Sequence, residues 1–152
     1  GLAPVRQAAR QAAVRGGHVQ PPVPLPPERP ALDVAPAPPK QAAGVTPDMI
    51  MQGMTLFFGN CALCHSNQPR SITPDLRRMS EGSHAAFKDI VLKGLLLPNG
   101  MPRWDDRLSE KEVEAIHAYL IDLQGKARVE ELEKQKRGLP LDAPGLTILS
   151  NY

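Results

Sequence analysis

The sequence predicts an all-α fold, on three observations. Two stretches carry apolar residues at helical spacing behind good N-terminal caps, no stretch alternates apolar and polar residues as a half-buried strand would, and no internal repeat emerges. With 152 residues, the chain has room for a single core, because a core becomes self-sufficient at roughly 60 residues and divides beyond about 250.

The N-terminal third is different in kind. Residues 1–45 hold 10 of the 17 prolines and five basic against two acidic residues, a net of +3, whereas the remaining 107 residues carry 13 basic and 14 acidic. In "PPVPLPPERPALDVAPAPP", residues 21–39, the prolines remove backbone donors and favour extended polyproline-like chain. We read residues 1–45 as a linker or strap, with Val23, Leu25, Leu32 and Val34 as the apolar side chains available for docking. Residues 1–17, rich in Ala and Arg, suit a helix without an identifiable partner face.

At Thr46 the pattern changes. Thr46 is placed to cap, Pro47 fits the first helical position and Asp48 suits the positive end of the helix dipole, so a helix is expected over about 47–59. Met49, Gly53, Leu56 and Phe57 share one face, with Gly53 allowing another helix close approach. A second, short helix is expected over about 84–93, capped by Ser83 and ended by Gly94. The strongest helix covers about 110–124, where Ser109 and Glu112 form a capping box and Val113, Ile116, Leu120 and Leu123 line one stripe. Beyond Gly125, Glu130 with Lys134 and Glu133 with Arg137 stand at i, i+4, which predicts a separate solvated helix ended by Gly138 and Pro140. The closing "PGLTILSNY" is apolar enough to dock on a partner or on the chain itself.

Composition excludes some functions. The weak basic excess lies in the Pro-rich arm, with none of the interleaved aromatic and basic residues that nucleic acid needs. The longest apolar run, residues 91–98, is interrupted by Lys93 and Gly94 and falls short of the ~18 residues of a membrane span. No apolar signal core is present, and the start at Gly1 reads as a processed or excised chain.

The chemistry concentrates in "GNCALCHS", where the only two cysteines, Cys61 and Cys64, are followed directly by His65. Three readings compete. A dithiol redox centre normally sits in a βαβ setting that this chain does not offer. A tetrahedral zinc site needs four ligands, and no second cysteine pair or paired histidine supplies them. The third reading is covalent haem: both thiols bond the macrocycle and the adjacent imidazole faces the iron. A sixth ligand would then come from "LPNGMPRW", where Met101 lies in a stiff turn between Gly100 and Pro102. Met79, also in a loop, is the rival, since chain length excludes neither, whereas Met49, Met51 and Met54 read as core filler.

Together, "GMTLFFGNCALCHS", "PDLRRMS" and "GMPRWDDRLSEKEVEAIHAYL" resemble a class I c-type cytochrome domain over residues 46–124, most like the C-terminal cytochrome domain of quinohaemoprotein alcohol dehydrogenases. The resemblance implies a class I cytochrome c fold and one-electron transfer through one covalent haem c. Cys61 and Cys64 correspond to the thioether cysteines, His65 and Met101 to the axial ligands, and Pro74 to the proline whose carbonyl accepts the histidine ring N–H. Gly53 and Phe57 correspond to the positions that cross the last helix at Ile116 and Tyr119. It further implies a periplasmic setting in a Gram-negative bacterium and a donor propeller domain, in cis or in trans, carrying pyrroloquinoline quinone (PQQ) and calcium. The alternative is a freestanding or subunit cytochrome of another respiratory complex, and a third reading is an interaction module whose haem is incidental.

No substrate site of its own is expected, so the chain reads as an electron-transfer module of a larger oxidoreductase. Ile72, Leu76, Leu95, Leu96 and Leu97 are expected to exclude water from the ring. Arg77, Arg78 and Arg103 are candidates for the propionates, and Trp104 for edge packing. His18 falls in the arm, His84 is expected to be solvated and His117 half-buried, all without a role.

Overall fold

The computed structural model describes residues 20–25, 31–66 and 72–142. Among these, the ordered elements are helices: α1 (Pro47–Asn60), α2 (Glu81–Ala85), α3 (Phe87–Lys93) and α4 (Glu110–Lys136), with short 3-10 turns at Leu76–Arg78 and Leu97–Asn99. The chain divides into two compact units at Ala31 and Leu32. Of the first, residues 20–25 are exposed and without regular structure, with Val23 and Leu25 at 82% and 90% exposure. The second holds the core and the helices. The two ends that the sequence reading treats as a helix (residues 1–17) and a docking tail ("PGLTILSNY") lie outside the described residues.

The core forms where α1 crosses α4. Thr46 caps α1 by accepting from Met49 N at 3.2 Å, and Pro47 starts it. Gly53 then meets α4 backbone to backbone: a Cβ built there would lie 1.9 Å from Ala115 O and 3.0 Å from Tyr119 Cβ. One turn on, Phe57 sets its ring 5.5 Å from that of Tyr119. The expected crossing partners, Ile116 and Tyr119, are thus half right, because the closest approach falls on the Ala115 carbonyl. Phe57, Val113, Ile116 and Leu120 are almost fully buried, joined by Met79, Phe87, Val91 and Leu108.

Two expectations are corrected. The short helix is two: Ser80, not Ser83, caps α2, accepting from Ser83 N at 3.1 Å, and the chain bends at Ala86 before α3. The apolar period begins only at Phe87, so sequence spacing could not reveal the preceding polar turn. Gly94 ends α3 at φ 68, as expected. The second correction is α4, which runs unbroken through Gly125 for 27 residues. A helical glycine costs only about 1 kcal/mol, and here tertiary contacts on both sides of it outweigh that. The capping box of Ser109 with Glu112 and the pairs Glu130–Lys134 and Glu133–Arg137, both at 3.1 Å, form as anticipated. The segment after Gly125 is not wholly solvated, however: Glu131 and Lys134 are each 7% exposed.

The cause is the second half of the Pro-rich arm, which lies along α4. Extended, proline-rich chain makes no hydrogen bonds within itself, so its backbone groups are met by side chains. Ala35, fully buried, donates its N–H to Glu131 Oε2 at 2.9 Å and accepts from Arg128 at 2.9 Å. Pro36 O accepts from Gln124 at 3.0 Å, Gln41 donates to Ala118 O at 2.7 Å, and Arg78 bonds both Asp33 O and Glu131. Leu32 and Val34 are half-buried. The strap is therefore fastened mainly through polar backbone groups, where the sequence suggested apolar docking.

Beneath it runs a buried polar chain that corrects the reading of His84, which is only 5% exposed. Gln124 donates its amide N–H groups to Pro36 O at 3.0 Å and Met79 O at 3.1 Å. Both are carbonyls that only accept, so Oε1 must face His84 Nε2, 2.9 Å away, which must carry the proton. His84 Nδ1 in turn lies 2.9 Å from His117 Nε2, so the chain continues into α4 through a proton between the two rings. His117 also stacks on Phe87, with ring centroids 4.4 Å apart.

Two measurements test this packing. Gly53→Ala is expected to lower stability by roughly 1–3 kcal/mol because the α4 backbone would have to retreat, whereas Gly59→Ala on the same helix meets nothing within 4 Å and should be neutral or slightly stabilising. Urea midpoints of the two variants check the contrast. Burial, and then the neighbouring His84, lower the His117 pKa from 6.5 to about 4. The unfolded chain therefore takes up the proton first as pH falls. The contribution is complete above about 6.5 and is lost towards 4. The difference in urea midpoint between wild type and His117→Gln should accordingly shrink from pH 7 to pH 4.5.

Candidate functional site

The site begins at the last turn of α1. Cys61 caps that helix, its N–H bonding Phe57 O at 2.8 Å, and Ala62 N reaches the same carbonyl at 3.0 Å. A further turn then closes, with Cys64 N on Cys61 O at 3.2 Å and His65 N on Cys61 O at 2.8 Å. Cys61, Cys64 and His65 therefore sit on one coil of backbone that the buried Phe57 ties to the core. Both thiols are free. Cys61 is half-buried and packs against the core, and burial, helped by Cys64, pushes its thiol up to about 11. Cys64 is exposed.

His65 is held by one hydrogen bond. Its Nδ1 lies 2.9 Å from Pro74 O. Because a carbonyl can only accept, Nδ1 carries the proton and Nε2 keeps its lone pair. That leaves Nε2 available as a metal donor, and the bond orients the ring and raises its basicity. Next to Pro74 stands Asp75, a residue that sequence reasoning passed over. Its carboxylate accepts from Arg77 N at 3.0 Å and pairs with the Arg77 guanidinium at 2.9 Å, its side chain only 3% exposed. The signal was present: an Asp two residues before an N–H donor is a local capping pattern.

Met101 lies on the loop between α3 and α4. Gly100 adopts φ 95, and Met101 N returns to Leu96 O at 3.2 Å. Met101 and Cys61 both pack against the buried cluster. Met79, the rival, is 8% exposed inside that cluster, with its carbonyl on Gln124. Around the two arms stand exposed apolar side chains: Ile72 at 105%, Leu63 at 97%, and Leu95, Leu96 and Leu97 at 53%, 39% and 56%. Leu76 instead packs on the core.

Each of the three candidate arginines has an acidic partner in the chain. Arg77 pairs with Asp75, Arg78 with Glu131 and Arg103 with Asp105. Trp104 packs against the core, with the Arg107 guanidinium 5.7 Å from its ring centre.

The Cys61–His65 turn suits a macrocycle with a borderline metal: two thiols on one turn and an imidazole nitrogen with a free lone pair. Among the described residues no group of three or more His, Cys, Asp or Glu could hold a bare metal ion.

Comparison with known proteins agrees. A family model described as cytochrome c oxidase, cbb3-type, subunit III matches residues 48–120. Cytochrome c6 of Cladophora glomerata is 32% identical over 87 residues, which cover 92% of that protein. The chain belongs to the c-type cytochromes. Its fold is that of class I cytochrome c, its cofactor is haem c and its function is electron transfer. The cytochrome is also 38% identical over 94 residues to quinohemoprotein alcohol dehydrogenase ADH IIB of Pseudomonas putida, an alignment covering 57% of this chain and 14% of that one. The solved structure of quinohemoprotein alcohol dehydrogenase ADHIIG from Pseudomonas putida superposes with a TM-score of 0.55 at 28% identity, over 80% of this chain and 17% of that one. The cytochrome thus spans only a small part of these dehydrogenases. No helix among the described residues is long and apolar enough to cross a membrane.

Because Met79 fills the core, Met79→Ala is expected to cost about 2–4 kcal/mol of stability while leaving the visible spectrum of the haem-loaded protein unchanged. Thermal melts and visible spectra of the same sample check both halves.

Proposed function

We propose that this cytochrome carries a single haem c, bonded through Cys61 and Cys64 and ligated by His65 and Met101, and that it accepts electrons from a PQQ-bearing alcohol dehydrogenase propeller domain. The observation that carries the ligand assignment is the bond from His65 Nδ1–H to Pro74 O, 2.9 Å long, which leaves Nε2 as the donor. When bound, haem c supplies a one-electron couple between ferrous and ferric iron.

The chain's own residues do the rest. Pro74 O locks the His65 tautomer. The Met101 thioether is a soft donor that would favour the reduced metal and raise its potential. Leu95, Leu96, Leu97 and Ile72 are exposed apolar side chains that would cover a bound macrocycle. If His65 and Met101 both held the metal, no place would be left on it for a substrate, and the domain would act as a carrier.

The dehydrogenase relatives support the partner: their matching portion amounts to 14% of one chain and 17% of another, so most of each lies outside the shared domain. We assign the electron-transfer domain to residues 46–124, with residues 1–45 and 125–152 as its attachments to the partner, and place the protein in the periplasm of a Gram-negative bacterium, where the PQQ and calcium belong to the donor. A freestanding or subunit cytochrome is the second reading, supported by a cytochrome c6 of which 92% aligns with this chain.

Intact mass under denaturing conditions should show the polypeptide plus one haem, and Cys61→Ser with Cys64→Ser should abolish the addition. Met101→Ala should keep the haem mass, lose the sulfur–iron absorption and lower the reduction potential. Rapid mixing with a substrate-reduced PQQ dehydrogenase should reduce the haem; no reduction would favour the freestanding carrier.

A further inference from the structure

The loop that carries Met101 has few fastenings. Between α3 and Met101 the hydrogen bonds are mostly local turns: Leu97 N to Gly94 O at 3.0 Å, Asn99 N to Leu96 O at 2.9 Å and Gly100 N to Leu97 O at 3.0 Å. Among the described residues, the bond that returns to a helix is Trp104 N to Val91 O at 3.0 Å, just past Met101. A segment with few returning bonds opens easily on its own.

One side chain crosses from the far end of the loop to its start. Gly94 has φ 68, and a Cβ built on it would meet Arg103 Cγ at 2.3 Å, Cδ at 3.3 Å and Cβ at 3.6 Å. The aliphatic stem of Arg103 therefore lies flat on the bare Cα of Gly94, and its guanidinium is turned aside onto Asp105. Gly94 thus serves two demands at once: the left-handed stop of α3 and a bed that only a residue without a side chain provides.

We propose that the Arg103 stem, seated on Gly94, is a positioning clasp that keeps the Met101 loop closed and so sets how readily the methionine yields its place to another ligand. This rests on Met101 being the ligand. Arg103 is two residues from Met101, so a shift of its stem carries the turn with it. An external ligand can bind only when the loop swings away, so its apparent affinity is scaled by the fraction of molecules with the loop open. Loosening the clasp raises that fraction without touching any ligand. The exposed ion pair to Asp105 contributes little by itself; the stem is the effective part.

The test uses the haem-loaded full chain and imidazole as the probe, titrated in the visible spectrum. Arg103→Ala should bind imidazole about fivefold more tightly than wild type, with an unchanged far-UV melting midpoint. Arg103→Met, which keeps the stem and removes the charge, should stay within about twofold of wild type. Gly94→Ala should shift binding in the same direction as Arg103→Ala; should it fail to load haem, the Arg103 pair decides alone. Unchanged affinity in Arg103→Ala overturns the clasp, and equal gains in Arg103→Ala and Arg103→Met overturn the role of the stem. Met101→Ala separates the two layers: it should bind imidazole more tightly than any of these and make Arg103→Ala silent when combined. If Met101→Ala binds no more tightly than wild type, the ligand assignment fails, whatever the Arg103 variants do.

Discussion

The contact of Gly53 with the Ala115 carbonyl of α4 is the constraint on which the rest of the molecule depends. It brings two helix backbones closer than any side chain would allow, and Phe57, one turn on, is thereby pressed into the core beside Tyr119. Phe57 is also the residue whose carbonyl receives the N–H groups of Cys61 and Ala62. A steric fact at the middle of α1 thus decides where its last turn points and with what rigidity the two thiols and His65 are presented.

A second layer of order is polar. Gln124 is buried at 0% exposure and unites three elements that share little apolar surface: the strap at Pro36, the loop at Met79 and α2 at His84. A buried amide left unpaired would cost about 1–3 kcal/mol, so the arrangement is close to all or nothing, and it defines one seat for the strap instead of a range of sliding positions. The same logic places Arg78 between Asp33 O and Glu131, and Asp75 beside Arg77. Strap, helix extension and the Pro74 segment are joined through charged side chains that the core does not need.

The two arms of the site are built on different principles. On the His65 side the geometry is set by backbone: a helix end, a tight turn and one carbonyl that selects the tautomer. On the Met101 side the turns are set by glycines, Gly94 and Gly100 at φ 68 and 95, with Met101 and Trp104 packed on the core. In the proposed ligand pair a rigid donor would be joined by a looser one, and the protein's levers on a haem potential include ligand identity and burial.

Most of the local information was readable from the residues. The caps at Thr46 and Ser109, the stop at Gly94 and the close approach at Gly53 follow from short-range stereochemistry, which acts within a turn or two and so is written in adjacent letters. The cysteine–cysteine–histidine run and the Gly-Met-Pro turn were legible for the same reason. What the tertiary structure decided depends on partners distant in sequence: Ala35 with Glu131, Gln41 with Ala118, Gln124 with Pro36. Gly125 looked like a helix end because propensity is judged locally, yet the helix continues where distant chain packs against it. His84 looked solvated because its polar neighbours in sequence say nothing of the Gln124 and His117 that enclose it. The sequence alone determined which groups could act and how the chain turns around each of them; only the folded chain determined which of them are buried, which proton each carries and what holds it in place, because burial and pairing are properties of neighbours in space.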